Sequence, residues 1–239
     1  VLEAPHGTWF SGAVQLGEAG QRNGQLAVGH DFKGFGVFVS HAGGQSTAGS
    51  FEQQEIALGL RKSFALGDDT ALTAAVLAGR AQLHFEDAAQ AKTDASLLGL
   101  AAKLRHDAPN GLVVSGALGM THYRFNGYTA AGLDGASFGA RDLNTGVIDL
   151  EVGRKTTWGG AQAMPYIGLT GLFTDGDAIA MSYGGSSTSF QATDNAARAV
   201  LRLGSTVQFA TPAPWLVRFE GRVDDQGEVS AFAKAAIAF

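Results

Sequence analysis

From residue 7 to residue 239 the chain is a succession of short runs in which apolar and polar positions alternate with period two. The last run shows the pattern. Val229, Ala231, Ala233, Ala235, Ile237 and Phe239 share a face without a polar atom, and Ser230, Phe232, Lys234, Ala236 and Ala238 share the other. A strand turns successive side chains to opposite faces, so one side can meet an apolar medium while the other carries charge. About twelve strands are predicted, near residues 7–16, 25–32, 34–45, 51–64, 70–86, 94–106, 111–125, 142–157, 163–175, 195–209, 215–224 and 228–239.

The connections sort by length. Lys33, Ala65–Asp69, Asp107–Asn110, Trp158–Gly160, Ala210–Pro214 and Asp225–Gly227 are short and carry the Gly, Asp, Asn and Pro that tight turns require. Asn126–Arg141 and Gly176–Asp194 are long, and 17–24, 46–50 and 87–93 are intermediate. Five of the six short turns fall on one rim and the longer connections on the other, the arrangement of bacterial outer-membrane barrels. Several runs exceed ten residues; a strand tilted by about 45° needs roughly 9–11 to cross a bilayer, whereas soluble strands average about 5–6. The expected fold is all-β, a transmembrane antiparallel up-and-down barrel of about twelve strands. Residues 7–239 form the barrel and residues 1–6 a linker remnant. An even strand number places both termini on the short-turn, periplasmic side.

A charge on the lipid face costs about 2–4 kcal/mol at mid-membrane, so the charged positions are assigned to the lumen. They are Glu55, Arg61, Arg80, Glu86, Lys103, Arg105, Asp149, Glu151, Lys155, Arg198, Arg202, Arg218, Glu220, Arg222 and Lys234. On 70–86 this puts Leu77, Ala81, Leu83 and Phe85 toward lipid and Arg80, Gln82, His84 and Glu86 inside. Strands 34–45 and 111–125 have faces too alike to assign. Aromatic residues cluster at strand ends, and Trp9, Phe64, Trp158, Phe209 and Trp215 are expected in the girdle of the short-turn rim.

Composition narrows the class. Charged residues make up 16% and hydrophobic residues 45%, against roughly 25% charged in soluble domains. The net charge of −5 argues against a nucleic-acid partner. With no cysteine, stability must come from hydrogen-bonded closure. No apolar run approaches the roughly 20 residues of a membrane helix. No leader opens the sequence, so a mature or excised fragment is expected.

Local patterns then resemble a known family. Gly7-Thr-Trp9-Phe-Ser-Gly12, Leu26-Ala-Val-Gly-His-Asp31, Gly36-Val-Phe-Val-Ser-His-Ala-Gly-Gly44, Met164-Pro-Tyr-Ile-Gly-Leu169, Leu201-Arg-Leu-Gly204 and the terminal Phe239 are similar to strands of autotransporter translocator domains of type V secretion. The resemblance implies an outer-membrane barrel that anchors an N-terminal passenger and exports it to the cell surface. It also implies a helix through the lumen, for which Val1–His6 is too short, with Pro5 unsuited to it. Phe239, with Ile237, resembles the signal read by the barrel assembly machinery. The partners implied are outer-membrane lipid and lipopolysaccharide, that machinery and the passenger, with the barrel itself a monomer. The alternative is a stand-alone small pore or surface-loop adhesin.

Twelve strands leave a lumen between the filled interior of about eight and the aqueous channel of sixteen. Its mixed charges would hydrate a sliding polypeptide or pair across strands to brace the wall. Catalysis has little support. His84 beside Glu86 and His122 near Asn126 lack the oriented third partner of a triad. No metal or cofactor is expected, since no His, Cys and carboxylate cluster has ligand spacing.

Overall fold

The structure is a computed structural model that describes residues 7–17, 21–32, 35–46, 51–85, 91–190, 196–209, 211 and 213–239. The alternating runs form strands because each can bury one face and turn the other outward. In chain order they are β1 (Thr8–Gly17), β2 (Arg22–Phe32), β3 (Phe35–Ser46), β4 (Phe51–Ala65), β5 (Thr70–Phe85), β6 (Ala91–Asp107), β7 (Leu112–Phe125), β8 (Tyr128–Ala130), β9 (Ala136–Phe138), β10 (Arg141–Arg154), β11 (Thr156–Trp158), β12 (Ala161–Gly176), β13 (Ile179–Tyr183), β14 (Ser186–Phe190), β15 (Ala196–Phe209), β16 (Trp215–Asp224) and β17 (Val229–Ala238).

Each long strand pairs antiparallel with its neighbours, and β17 returns to pair with β1 from Trp9↔Ala238 to Gly17↔Ser230. The Phe239 N–H donates to the Thr8 carbonyl at 2.8 Å and extends this seam by one bond. The result is a closed barrel of twelve strands, as expected, with β11 prolonging one hairpin. Closure satisfies the main chain without an exposed edge, which a bilayer demands. The wall is uneven in height. β1, β16 and β17 have 10 residues each, whereas β4, β5 and β6 have 15, 16 and 17.

The exterior is an apolar belt that includes Val28, Leu58, Leu100, Leu118, Leu150, Leu169, Leu203 and Phe219. Two aromatic residues on the inner face lie over glycines of neighbouring strands. Trp9 and Phe38 are buried, with ring centroids 6.4 Å apart. A Cβ on Gly29 would lie 2.5 Å from Trp9 Cζ2, and one on Gly59 would overlap the Phe38 ring.

The two long connections, expected as loops, carry strands of their own. β8, β9, β13 and β14 make a four-stranded sheet on the long-loop rim. Tyr128 anchors it, stacked between Phe85 of the wall at 5.9 Å and Phe138 at 4.8 Å. Desolvation by burial raises the Tyr128 hydroxyl above its ordinary value of 10.0, and the Arg141 charge partly offsets this.

Candidate functional site: the barrel lumen

Strand register settles which side chains turn inward. Pairing keeps directly opposed residues on one face. Arg202 therefore shares the inner face with Arg222, and Arg218 with Lys234. The inner surface divides into sectors.

The first is a charge network on β10, β12, β15 and β16. Arg202 contacts Asp149 at 2.5 Å, Glu220 at 3.1 Å and Glu151 at 3.7 Å. Arg218 contacts Glu151 at 2.6 Å and Glu220 at 3.0 Å. Arg222 pairs with Glu220 and also donates to Gln15 Oε1 at 2.9 Å. The Tyr166 hydroxyl donates to Glu220 Oε2 at 2.6 Å, and the Thr170 hydroxyl to Asp149 at 2.5 Å. Three guanidiniums thus face three carboxylates. The Glu220 side chain is fully buried at 0% exposure, so its charge depends on these partners. Arg218 also lies 4.3 Å over the Tyr166 ring, and Arg222 lies 4.4 Å over Phe232. A cavity of about 350 Å³ opens beside the network, lined by Ser11, Gln25, Thr170 and Lys234 among others.

The second sector joins β1 to β4. Arg61 grips Asp31 through two bonds of 2.9 and 2.5 Å and lies 4.6 Å over Trp9. The third, on β4 to β7 and β10, is apolar. Ala57, Ala81, Ala95, Leu97 and Phe125 are buried there, with Leu77, Leu83, Tyr123 and Leu143 against them. At its long-loop end Glu55 accepts from the Tyr123 hydroxyl at 2.9 Å, and toward the short-turn end Lys103 is buried on the same face. At the short-turn mouth Asp107 bridges Arg105 at 2.9 Å and Lys155 at 3.3 Å.

The register places Glu55, Arg61, Lys103, Arg105, Asp149, Glu151, Arg198, Arg202, Arg218, Glu220, Arg222 and Lys234 on the inner face, with Lys155 at the short-turn mouth. Arg198 marks the long-loop end, 3.3 Å from both Asp224 and Glu228. Glu86 lies outside the described residues. Arg80 is a correction. It pairs opposite Ile56, which is outward and 57% exposed, so Arg80, Gln82 and His84 face outward while Leu77, Ala81 and Leu83 face the lumen. The inversion carries little penalty because Arg80 stands above the apolar belt, where a charge costs about 0–1 kcal/mol.

Trp9 is the second correction. At 0% exposure it is a lumen residue beneath Arg61, not part of an outer girdle. Tyr166 likewise points inward, to Glu220. Phe64, Trp158, Phe209 and Trp215 are exposed on the outside, and Phe239 is 77% exposed. Ile237 pairs with Phe10 and Trp215. His122 is hydrogen-bonded to Asn144 at 3.0 Å. The sequence reading missed Asp31, Phe38 and Gln15. Asp31 carried a usable signal, being a carboxylate inside an apolar strand.

Comparison with known proteins agrees with this geometry. The family model of the autotransporter beta-domain matches residues 32–232. The structure resembles the beta domain of the Bordetella autotransporter BrkA, with a TM-score of 0.62 and 15% identity, covering 98% of this chain and 99% of that one. It also resembles the translocator domain of the autotransporter NalP from Neisseria meningitidis, with a TM-score of 0.63 and 16% identity over 96% and 85% of the two chains. The NanC porin is more distant, with a TM-score of 0.52 and 11% identity over 97% of this chain and 100% of that one. No curated protein matches the chain in sequence.

Proposed function

This chain belongs to the autotransporter beta-domain family, and from that premise we propose how its barrel carries out outer-membrane anchoring and export of an N-terminal passenger. The observation that carries the reading is the two-sided lumen. One wall is lined by Leu77, Leu83, Leu97 and Phe125, and the other by the balanced network around Glu220. A threaded segment with one apolar and one polar face finds a matching surface on each side. With equal numbers of guanidiniums and carboxylates paired to one another, that wall presents no net charge to hold a segment of either sign, whereas a ring of one sign would select ions. Arg61–Asp31 and the Asp107 bridges brace the wall.

In this reading both ends of the barrel face the periplasm, and the β8–β9–β13–β14 sheet faces the cell exterior. Phe64, Trp158, Phe209 and Trp215 form the periplasmic girdle, where amphipathic rings favour the headgroup level. Ile237 and Phe239, at the end of the closing strand, are read by the barrel assembly machinery. The barrel works as a monomer among outer-membrane lipid and lipopolysaccharide. The family match favours this over a stand-alone pore.

The test joins a protease-sensitive reporter passenger and a secretion signal ahead of the barrel and measures reporter at the cell surface. Surface exposure that depends on an intact β17 supports the proposal. Equal exposure after β17 is deleted refutes it. Removing Phe239 alone should slow insertion, seen as heat-modifiable monomer accumulating late.

A further inference from the structure

The outward face of β4 to β7 changes character at one level. Below it lie Leu58, Leu60, Val76, Leu98, Leu100 and Met120, all exposed and apolar. Above it, on the same face, come Gln54, Arg80, Gln82, Lys92, Asp94 and Arg124. Arg80 pairs opposite Ser96, and Ser96 opposite Arg124, so the two arginines flank a serine on one outward rung. Neighbouring strands are about 4.8 Å apart, which separates the two backbones by about 10 Å. Two long side chains from that spacing can converge on one anion. At the same boundary a groove of about 330 Å³ is bordered by His41, Gln54, Ile56, Arg80 and Gln82, with the carboxylates Glu55 and Asp94 also on its lining.

The charges in this patch are unequally engaged. Asp94 accepts from Gln82 at 3.0 Å, and Glu52 accepts from Gln54 at 2.8 Å, while Asp142 of β10 stands opposite Arg124 on the same rung with no ion pair to it among those found. Among the described residues, Arg80, Lys92 and Arg124 take part in none of the ion pairs found. All three are exposed. Guanidinium groups match phosphate oxygens in pairs, and exposed cations just above an apolar belt stand at the depth of lipid headgroups.

We propose that this patch binds the phosphate of an outer-leaflet lipid, with Arg80 and Arg124 on the headgroup and the acyl chains along Ile56, Leu58, Leu98 and Leu100. The site rests on the membrane-barrel reading above and adds a position and a ligand class to it. Lys92, further up the wall, meets a second phosphate or an acidic sugar of the same lipid.

The experiment uses this chain folded in detergent micelles, with purified lipopolysaccharide as the probe and phosphatidylcholine as the zwitterionic comparison. Two cations at about 1 kcal/mol each correspond to roughly a thirty-fold change in affinity. The Arg80→Ala/Arg124→Ala variant is expected to bind lipopolysaccharide about thirty-fold more weakly. Arg154→Ala, exposed at the opposite end of β10, should bind as the parent does. Phosphatidylcholine binding should not change, and inorganic phosphate in excess should not displace the probe. Equal binding by the double variant and the parent overturns the proposal. Displacement by inorganic phosphate alone overturns the lipid assignment and leaves a simple anion site. Heat-modifiable gel migration separates these outcomes from failure of the barrel. A variant that shifts normally yet retains the probe refutes the site alone, and a chain that never shifts refutes the barrel.

Discussion

Replacing Glu220 by glutamine removes one negative charge from the network and keeps nearly all of its atoms. Tyr166 can still donate to the amide oxygen, so steric change and loss of that bond are small. What remains is an excess of one positive charge among Arg202, Arg218 and Arg222, together with loss of the Arg222 bond, because the amide nitrogen that replaces Oε1 cannot accept. Glu220, Glu151, Arg202 and Arg218 are 0%, 4%, 6% and 7% exposed, so water does little of the compensation. Removing one partner of a buried ion pair costs about 3–5 kcal/mol, and the retained Tyr166 bond places Glu220→Gln at about 3 kcal/mol. Asp107→Asn is the internal comparison. Its partner Arg105 is 39% exposed and Asp107 itself 34%, so solvent screening holds its cost to about 0–1 kcal/mol. Both costs are read from urea unfolding in lipid vesicles, followed by tryptophan fluorescence and gel migration. Arg222→Gln added to Glu220→Gln restores the balance and should recover part of the loss, a coupling above about 0.5 kcal/mol. If Glu220→Gln costs no more than Asp107→Asn, or the double variant is simply additive, the network does not hold the wall by charge balance.

Three further outcomes follow from the structure. Val76→Arg should destabilise the barrel by about 2–4 kcal/mol, because Val76 faces lipid between Leu60 and Leu100; an alternation reading that puts position 76 in the lumen expects almost no cost in the same urea titration. Gly59→Val should cost about 1–3 kcal/mol, since a side chain there displaces the Phe38 ring, while Gly67→Ala, with nothing within 4 Å, should be silent. The loop sheet should be at full strength below pH 10 and loosen as pH rises past the higher value of folded Tyr128, because its raised folded value favours the neutral, stacked form; protease sensitivity of the rim should show this, and Tyr128→Phe should abolish it.

Twelve strands and their turns were legible because each run alternates and each turn carries its own punctuation. Inner and outer faces were legible on β4, β10, β15 and β16, where charged residues such as Arg61, Glu151, Arg202 and Glu220 lie deep enough for the membrane to forbid the opposite choice. They were not legible on β5. Thr70–Gly79 offers no charge, and Arg80 stands where either face is tolerated, so only pairing with β4 decides. Trp9 misled for a related reason. An aromatic at a strand end suits a girdle or a lumen equally, and what selects the lumen is Gly29 beneath it and Arg61 above it, on two other strands. The rim sheet escaped notice because Ser186–Phe190 is polar enough to read as loop, and because β13 and β9, whose pairing joins the two hairpins, lie in different connections.

The unequal height of the wall has a mechanical consequence. Ten residues at about 3.3 Å each, tilted by about 40°, rise about 25 Å, while seventeen rise about 43 Å. The extra length of β4 to β6 stands above the apolar belt, where Arg80, Lys92 and Asp94 face outward, whereas β16, β17 and β1 have little wall beyond the roughly 25 Å that the belt itself needs. The seam between the first and last strands is therefore the low side of the rim, where a segment leaving the lumen has the least wall to clear.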